Sequence, residues 1–183
     1  MERFFLDRDD SSLLIIDIQE KLAAVMNMKD SVVRNCLHLI ELSKMLNMPV
    51  VVTEQYPKGL GRTVEDIRNA VPGNRPVEKL TFSCCEEPEF MNEVKAPGRK
   101  TVILTGMETH ICVLQTCIGL LHNGFDVHLV SDAVCSRTKE NWKTGVEFMR
   151  DAGAVITSTE TVLFQLLKRA GTEEFRAISK RIR

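Results

Sequence analysis

Short, wholly apolar runs alternate along this chain with longer stretches whose apolar positions recur at helical spacing. Ser12-Leu-Leu-Ile-Ile-Asp17 is rich in β-branched residues and too short for a helix, so it reads as a buried strand. Val32, Val33, Cys36, Leu37, Ile40, Leu42 and Met45 then form a helical stripe, broken at Asn47-Met-Pro49. Pro49-Val-Val-Val-Thr53 is the next strand, and Lys100-Thr-Val-Ile-Leu-Thr-Gly106 the third clear one. The latter leads into an apolar-faced helix over 110–122, ended by Asn123-Gly124. A fourth strand is predicted over 125–130 and a helix over 142–151. A fifth strand over 154–157 is followed by helices over 159–168 and 172–182. The segment 75–83 is less regular.

Strands that alternate with helices of about ten or more residues imply βαβ units and a parallel sheet covered on both faces. Right-handed crossovers then fix most of the topology. The 183 residues contain no repeat and no linker, so the expectation is one domain spanning 1–183. Hydrophobic residues make up 44% and charged residues 27%, which is ordinary for a globule with its own core. Lys plus Arg number 24 against 25 for Asp plus Glu. That balance offers no basic excess to hold a polyanion, so no nucleic-acid partner is expected. The apolar runs are too short for a membrane span, and the first ten residues lack an apolar targeting core. A cytoplasmic address and no membrane partner follow as expectations. Six Cys in such a chain are read as thiols, several of them in apolar segments.

In parallel sheets, function gathers at the carboxyl ends of the strands. Asp17 closes the first strand, where it is either a capping or solvated carboxylate or a partly buried catalytic one. Thr53-Glu-Gln-Tyr-Pro-Lys-Gly-Leu-Gly61 follows the second strand, and its glycines form turns rather than a dinucleotide fingerprint. Lys79 stands between apolar neighbours, where its ammonium is either solvated or held at the mouth of a site. Thr105-Gly-Met-Glu-Thr-His-Ile-Cys112 places a Cys at the first turn of a long helix. Such a Cys is either core packing or a reactive thiol, because helix N-termini favour a thiolate and can hold an oxyanion. At such a helix start, Cys112 is expected to be the most reactive of the six thiols, with the lowest pKa. His110 precedes Cys112 by two residues and points elsewhere on a helix. The four His show no metal-ligand spacing with one another or with Cys, so no metal is expected.

Three motifs together carry a resemblance. Leu14-Ile-Ile-Asp-Ile-Gln19, then Lys79, then Gly106-Met-Glu-Thr-His-Ile-Cys-Val113 resemble the isochorismatase-like cysteine hydrolase superfamily. The stretches 49–61, 79–83 and 130–137 are similar to its isochorismatase domain-containing subgroup. The resemblance implies a three-layer α/β/α fold with a six-stranded parallel sheet in the order 3-2-1-4-5-6. It implies a triad of Cys112 as nucleophile, Asp17 as general base and acid, and Lys79 as electrostatic partner. It implies an oxyanion site at the N–H groups of Glu108 and Cys112, and a cis peptide bond between Met107 and Glu108. Gln19, Tyr56, Phe82 and Glu108 are candidate pocket residues. The nicotinamidase branch binds metal just after the second strand, but Thr53-Glu-Gln-Tyr-Pro57 has no His. That argues against nicotinamide and zinc. The branch that cleaves isochorismate lacks a Cys nucleophile, so Cys112 argues against that chemistry.

The expectation is a metal-free, cofactor-free cysteine hydrolase acting on a small amide- or imide-like substrate through a thioester. The chain is expected to form a homo-oligomer. Changing Asp17 or Lys79 is expected to impair chemistry more than folding. Two alternatives stand beside it. One is a non-catalytic, homo-oligomeric binding member of the same fold. The other is a redox sensor pairing Cys112 with Cys84 or Cys85.

Overall fold

A computed structural model describes residues 1–182. Six strands form one parallel sheet: β1 (Ser11–Ile16), β2 (Val50–Gln55), β3 (Val77–Lys79), β4 (Thr101–Met107), β5 (Asp126–Cys135) and β6 (Val155–Thr157). Their order is β3-β2-β1-β4-β5-β6, as the resemblance implies. The helices are α1 (Glu20–Ala23), α2 (Lys29–Met45), α3 (Pro57–Leu60), α4 (Glu65–Ala70), α5 (Pro88–Lys95), α6 (Leu114–His122), α7 (Lys139–Asp151), α8 (Thr159–Leu167) and α9 (Glu173–Arg181).

All six residues of β1 are buried, because successive side chains point to opposite covered faces. Leu13 and Ile15 pack with α2, α4, α8 and α9. Leu14 and Ile16 pack with α5, α6 and α7. The result is three layers with the sheet in the middle.

Several elements depart from the pattern-based reading. β3 is only three residues long, and only Val77 and Lys79 point inward, too little for periodicity to register. β5 does not stop at Val130. It bulges, and its register with β4 shifts between Leu104 and Gly106 before pairing resumes at Val134 and Cys135. The polar Ser131-Asp132 pair sits in that bulge and ends the apolar run early in the sequence. α7 starts at Lys139, with the Thr138 hydroxyl accepting the Asn141 N–H at 3.2 Å; its polar first turn hides the start.

Register brings the chemistry together. Ile16 pairs with both Thr53 and Gly106, and Gln55 pairs with Lys79. The last residues of β1, β2, β3 and β4 therefore share one edge. It lies at the switch point, where β1 has β2 on one side and β4 on the other.

Candidate active site

Asp17 leaves β1 with φ of +51°, a left-handed conformation that Asp tolerates better than most residues. Its N–H donates to the Thr53 carbonyl at 3.2 Å, and its own carbonyl accepts from Gln19 N–H at 2.9 Å. The side chain is fully buried, and the Thr53 hydroxyl donates to Oδ1 at 2.7 Å. Lys79 Nζ lies 2.8 Å from Oδ2, and both side chains are 0% exposed. A buried carboxylate thus has a neutral and a cationic donor, one per oxygen.

Lys79 ends β3. Its ammonium also donates to Gln55 Oε1 at 2.6 Å and to the carbonyls of Thr81 and Phe82 at 3.2 and 3.4 Å. Burial opposes its charge, but Asp17 and the neighbouring thiols Cys84 and Cys112 outweigh burial, and its pKa lies above the ordinary lysine value. Lys79 is therefore a permanent cation of the site.

Cys112 is not in the first turn of a regular α-helix. It stands in a wider π-turn, Thr109–Val113, in which Val113 N–H reaches back to the Glu108 carbonyl at 3.3 Å. The thiol is 6% exposed, lies 4.0 Å from Gln55 Oε1, and is close enough to Asp17 to feel its charge. Its pKa is pushed up to about 12, first by burial and then by the charge of Asp17, with Lys79 opposing. The expected low pKa is therefore not found. Cys85 is raised only to about 11, because it is less buried. The turn and the lysine are present, but the carboxylate and the loss of water outweigh both. The resting sulfur is therefore a thiol beside a carboxylate.

The peptide bond Met107–Glu108 is cis. The buried Glu108 carboxylate accepts from the backbone N–H and Nε of Arg137 at 3.0 and 3.1 Å. His110 Nδ1 lies 3.0 Å from Ser136 Oγ, turned to the β5–α7 loop as its spacing from Cys112 suggests.

The other sequence candidates divide. Gln19 is fully buried and engaged within the protein: Oε1 accepts Gln55 N–H at 2.8 Å, and Nε2 donates to the carbonyls of Gln55 and Gly61 at 3.0 and 2.7 Å. It braces Gln55 and the loop beyond it. Tyr56 and Phe82 are 51% and 54% exposed and stand at the rim. The sequence reading omitted Thr53 and Gln55, which orient Asp17, Lys79 and Cys112. Their signal was present: in the polar end of β2, Thr53-Glu-Gln55, these two stand two apart and so share one face. The two candidate redox partners of Cys112 also separate. Cys84 is buried in the site, with Sγ 3.9 Å from Thr53 Oγ1, whereas Cys85 faces the Thr116 carbonyl at 3.7 Å. Among the described residues, no group of three His, Cys, Asp or Glu is placed to hold a metal ion.

Residues 11–161 match the family model for the isochorismatase domain. The secreted isochorismatase effector Isc1 of Phytophthora sojae is 42% identical over 177 residues, covering 94% of this chain and 84% of its own. A structure described as the MAR1 ribonuclease of Caenorhabditis elegans superposes with a TM-score of 0.90 at 35% identity, covering 97% of this chain and 92% of that one. YcaC from Pseudomonas aeruginosa, solved with hexane-2,5-diol and covalent acrylamide, gives a TM-score of 0.91 at 26% identity, with coverage of 97% and 91%.

Proposed function

The chain belongs to the isochorismatase family, and on that premise we propose that it is a metal-free cysteine hydrolase of a small amide- or imide-like substrate. The observation that carries this reading is the buried Asp17–Lys79 pair with the Cys112 thiol against Asp17. Asp17 takes the thiol proton, and the sulfur attacks the substrate carbonyl carbon. The N–H groups of Glu108 and Cys112 hold the oxyanion. Asp17 returns the proton to the leaving nitrogen as the C–N bond breaks, leaving a thioester. Water, deprotonated by Asp17, attacks that thioester, and a carboxylic acid and the free thiol are released. Lys79 offsets the negative charge that Asp17 and the thiolate bring together. Tyr56 and Phe82 line the approach, and Gln19 acts on the pocket through Gln55. The covalent acrylamide on the Pseudomonas neighbour supports a reactive nucleophile in this fold, since acrylamide is captured by conjugate addition at its alkene.

Asp17→Asn tests the role of the base with two readouts that move in opposite directions. Single-turnover acylation by an activated small amide should slow by roughly 100-fold or more, because the proton acceptor is gone. Alkylation of Cys112 by iodoacetamide at pH 8 should become faster, by roughly ten-fold for each unit that the thiol pKa falls. The carboxylate that raises that pKa is gone while Lys79 stays. In the parent, with the thiol pKa near 12, alkylation should climb through pH 7–10 without a plateau. If the folded variant acylates at the parent rate, Asp17 is not the base and the non-catalytic binding reading takes over.

Chelators should leave acylation unchanged, because the described residues offer no ligand cluster. Zinc that co-purifies stoichiometrically and leaves together with activity would contradict this. The C. elegans neighbour is described as a ribonuclease. For this chain we expect no RNA cleavage, since its net charge is -1 and its one buried site cation is already engaged by Asp17. No described helix is long and apolar enough to cross a membrane. A cytoplasmic location fits six free thiols, which a reducing compartment maintains. Self-association is expected from the exposed Leu80, Phe82, Phe148 and Phe164, and sedimentation measures it.

A further inference from the structure

One well-formed cleft among the described residues is not lined by Cys112. It has a volume of about 810 Å³ and lies between the start of α2, the tail of β5 and the start of α7. A small-molecule site typically encloses about 300–1,000 Å³. Met28, Val134 and the half-buried Trp142 give the cleft an apolar lining, and Arg34, Arg137 and Lys139 bring three cations to it. Neither Arg34 nor Lys139 has a carboxylate within 4.0 Å among the described residues. Arg137 gives its Nε to Glu108. The one carboxylate in the wall is Asp132, turned by its Oδ1 to the N–H and hydroxyl of Thr159 at 2.7 and 2.9 Å, so the wall's cations outnumber its anions by three to one. The first turns of α2 and α7 also border the cleft, and their dipoles add potential of the same sign.

We propose that this cleft binds a small organic anion: a carboxylate on an apolar or aromatic body, with the body against Met28 and Trp142 and the carboxylate toward Arg34 and Lys139. Charge complementarity selects this occupant. An apolar face of a second copy laid over the cleft would bury two unpaired cations, which is strongly unfavourable. A carboxylate pairs with them while its body removes apolar wall from water. The cleft meets the thiol site only through Arg137, which Glu108 holds, and Cys112 does not line it.

Trp142 is the only Trp in the chain, so its fluorescence reports on the cleft alone. The probe is phenylacetate, with 2-phenylethanol as its uncharged counterpart. Phenylacetate should change the emission saturably, with a Kd of about 1 mM or tighter. Cys112→Ser should bind equally well, which separates this site from the hydrolase reading. Arg34→Met with Lys139→Met should weaken binding by about ten-fold or more. Both positions are exposed, so the variant should melt like the parent. Raising the salt should weaken phenylacetate without affecting the alcohol, a check on the unmodified protein. Equal binding of 2-phenylethanol, or no saturable response to phenylacetate, would overturn the proposal. So would emission that tracks protein concentration while sedimentation shows a second copy closing the cleft.

Discussion

Lys79→Ala is expected to lose both stability and activity. Its ammonium and the Asp17 carboxylate are 0% exposed and 2.8 Å apart. Removing one partner of such a pair strands the other charge in a dry interior, which costs about 3–5 kcal/mol. In a domain of this size that amounts to a fall in melting temperature of roughly 10 °C. Acylation should also slow by about 100-fold or more, because the cation that offsets Asp17 and the developing thiolate is gone. The sequence alone places the cost of this change in the chemistry, and complete burial adds the folding cost. The double variant Lys79→Met with Asp17→Asn separates the two. It replaces both charges with neutral groups, so much of the stability should return while acylation stays lost. Thermal melts beside single-turnover acylation read both quantities. If Lys79→Ala melts like the parent, the pair is not buried as described.

The fold was legible where packing imposes a period, and the polar groups gathered at the sheet edge were legible where one of them interrupts it. Ser12 to Asp17 shows both: a run buried on two faces, then one carboxylate at its end. β3 escaped because three residues with two inward side chains carry too little pattern, and the sixth strand came only with the family resemblance. The second half of β5 escaped because a bulge turns Ser131 and Asp132 outward, and a strand that breaks its own alternation looks finished. Cys112 was found, but its pKa was misjudged. A helix start and a lysine can be read from sequence. The depth of burial and the nearness of Asp17, 95 positions earlier in the chain, depend on how β1 and β4 align. Gln55 and Thr53 were overlooked for the same reason. Their importance comes from the groups they touch on β1 and β3, and those pairings are tertiary.

Gly106→Ala should leave little or no folded protein. Gly106 sits within β4 at φ of +125°, where an L side chain is strained in any surroundings. A Cβ added there would lie 2.1 Å from the Ile16 carbonyl oxygen, 2.6 Å from its nitrogen and 2.8 Å from its carbonyl carbon. All three atoms are backbone of the adjacent central strand, so no rotamer change relieves the clash. Only separation of β1 from β4 does, and that opens the middle of the sheet. A loss beyond about 4–5 kcal/mol is expected, enough to consume most of the stability of an ordinary domain. Gly124→Ala is the control. It shares a positive φ of +82°, but its added Cβ would meet nothing within 4 Å. It should cost only about 1 kcal/mol, the price of the backbone conformation alone. Soluble yield and circular dichroism melts of the two variants measure the difference. The same close approach sets Asp17, the next residue after Ile16, beside the turn that carries Cys112. A Gly106→Ala protein that melts like the Gly124→Ala control would mean that the strands do not approach this closely. The placement of base against thiol would then lose its structural footing.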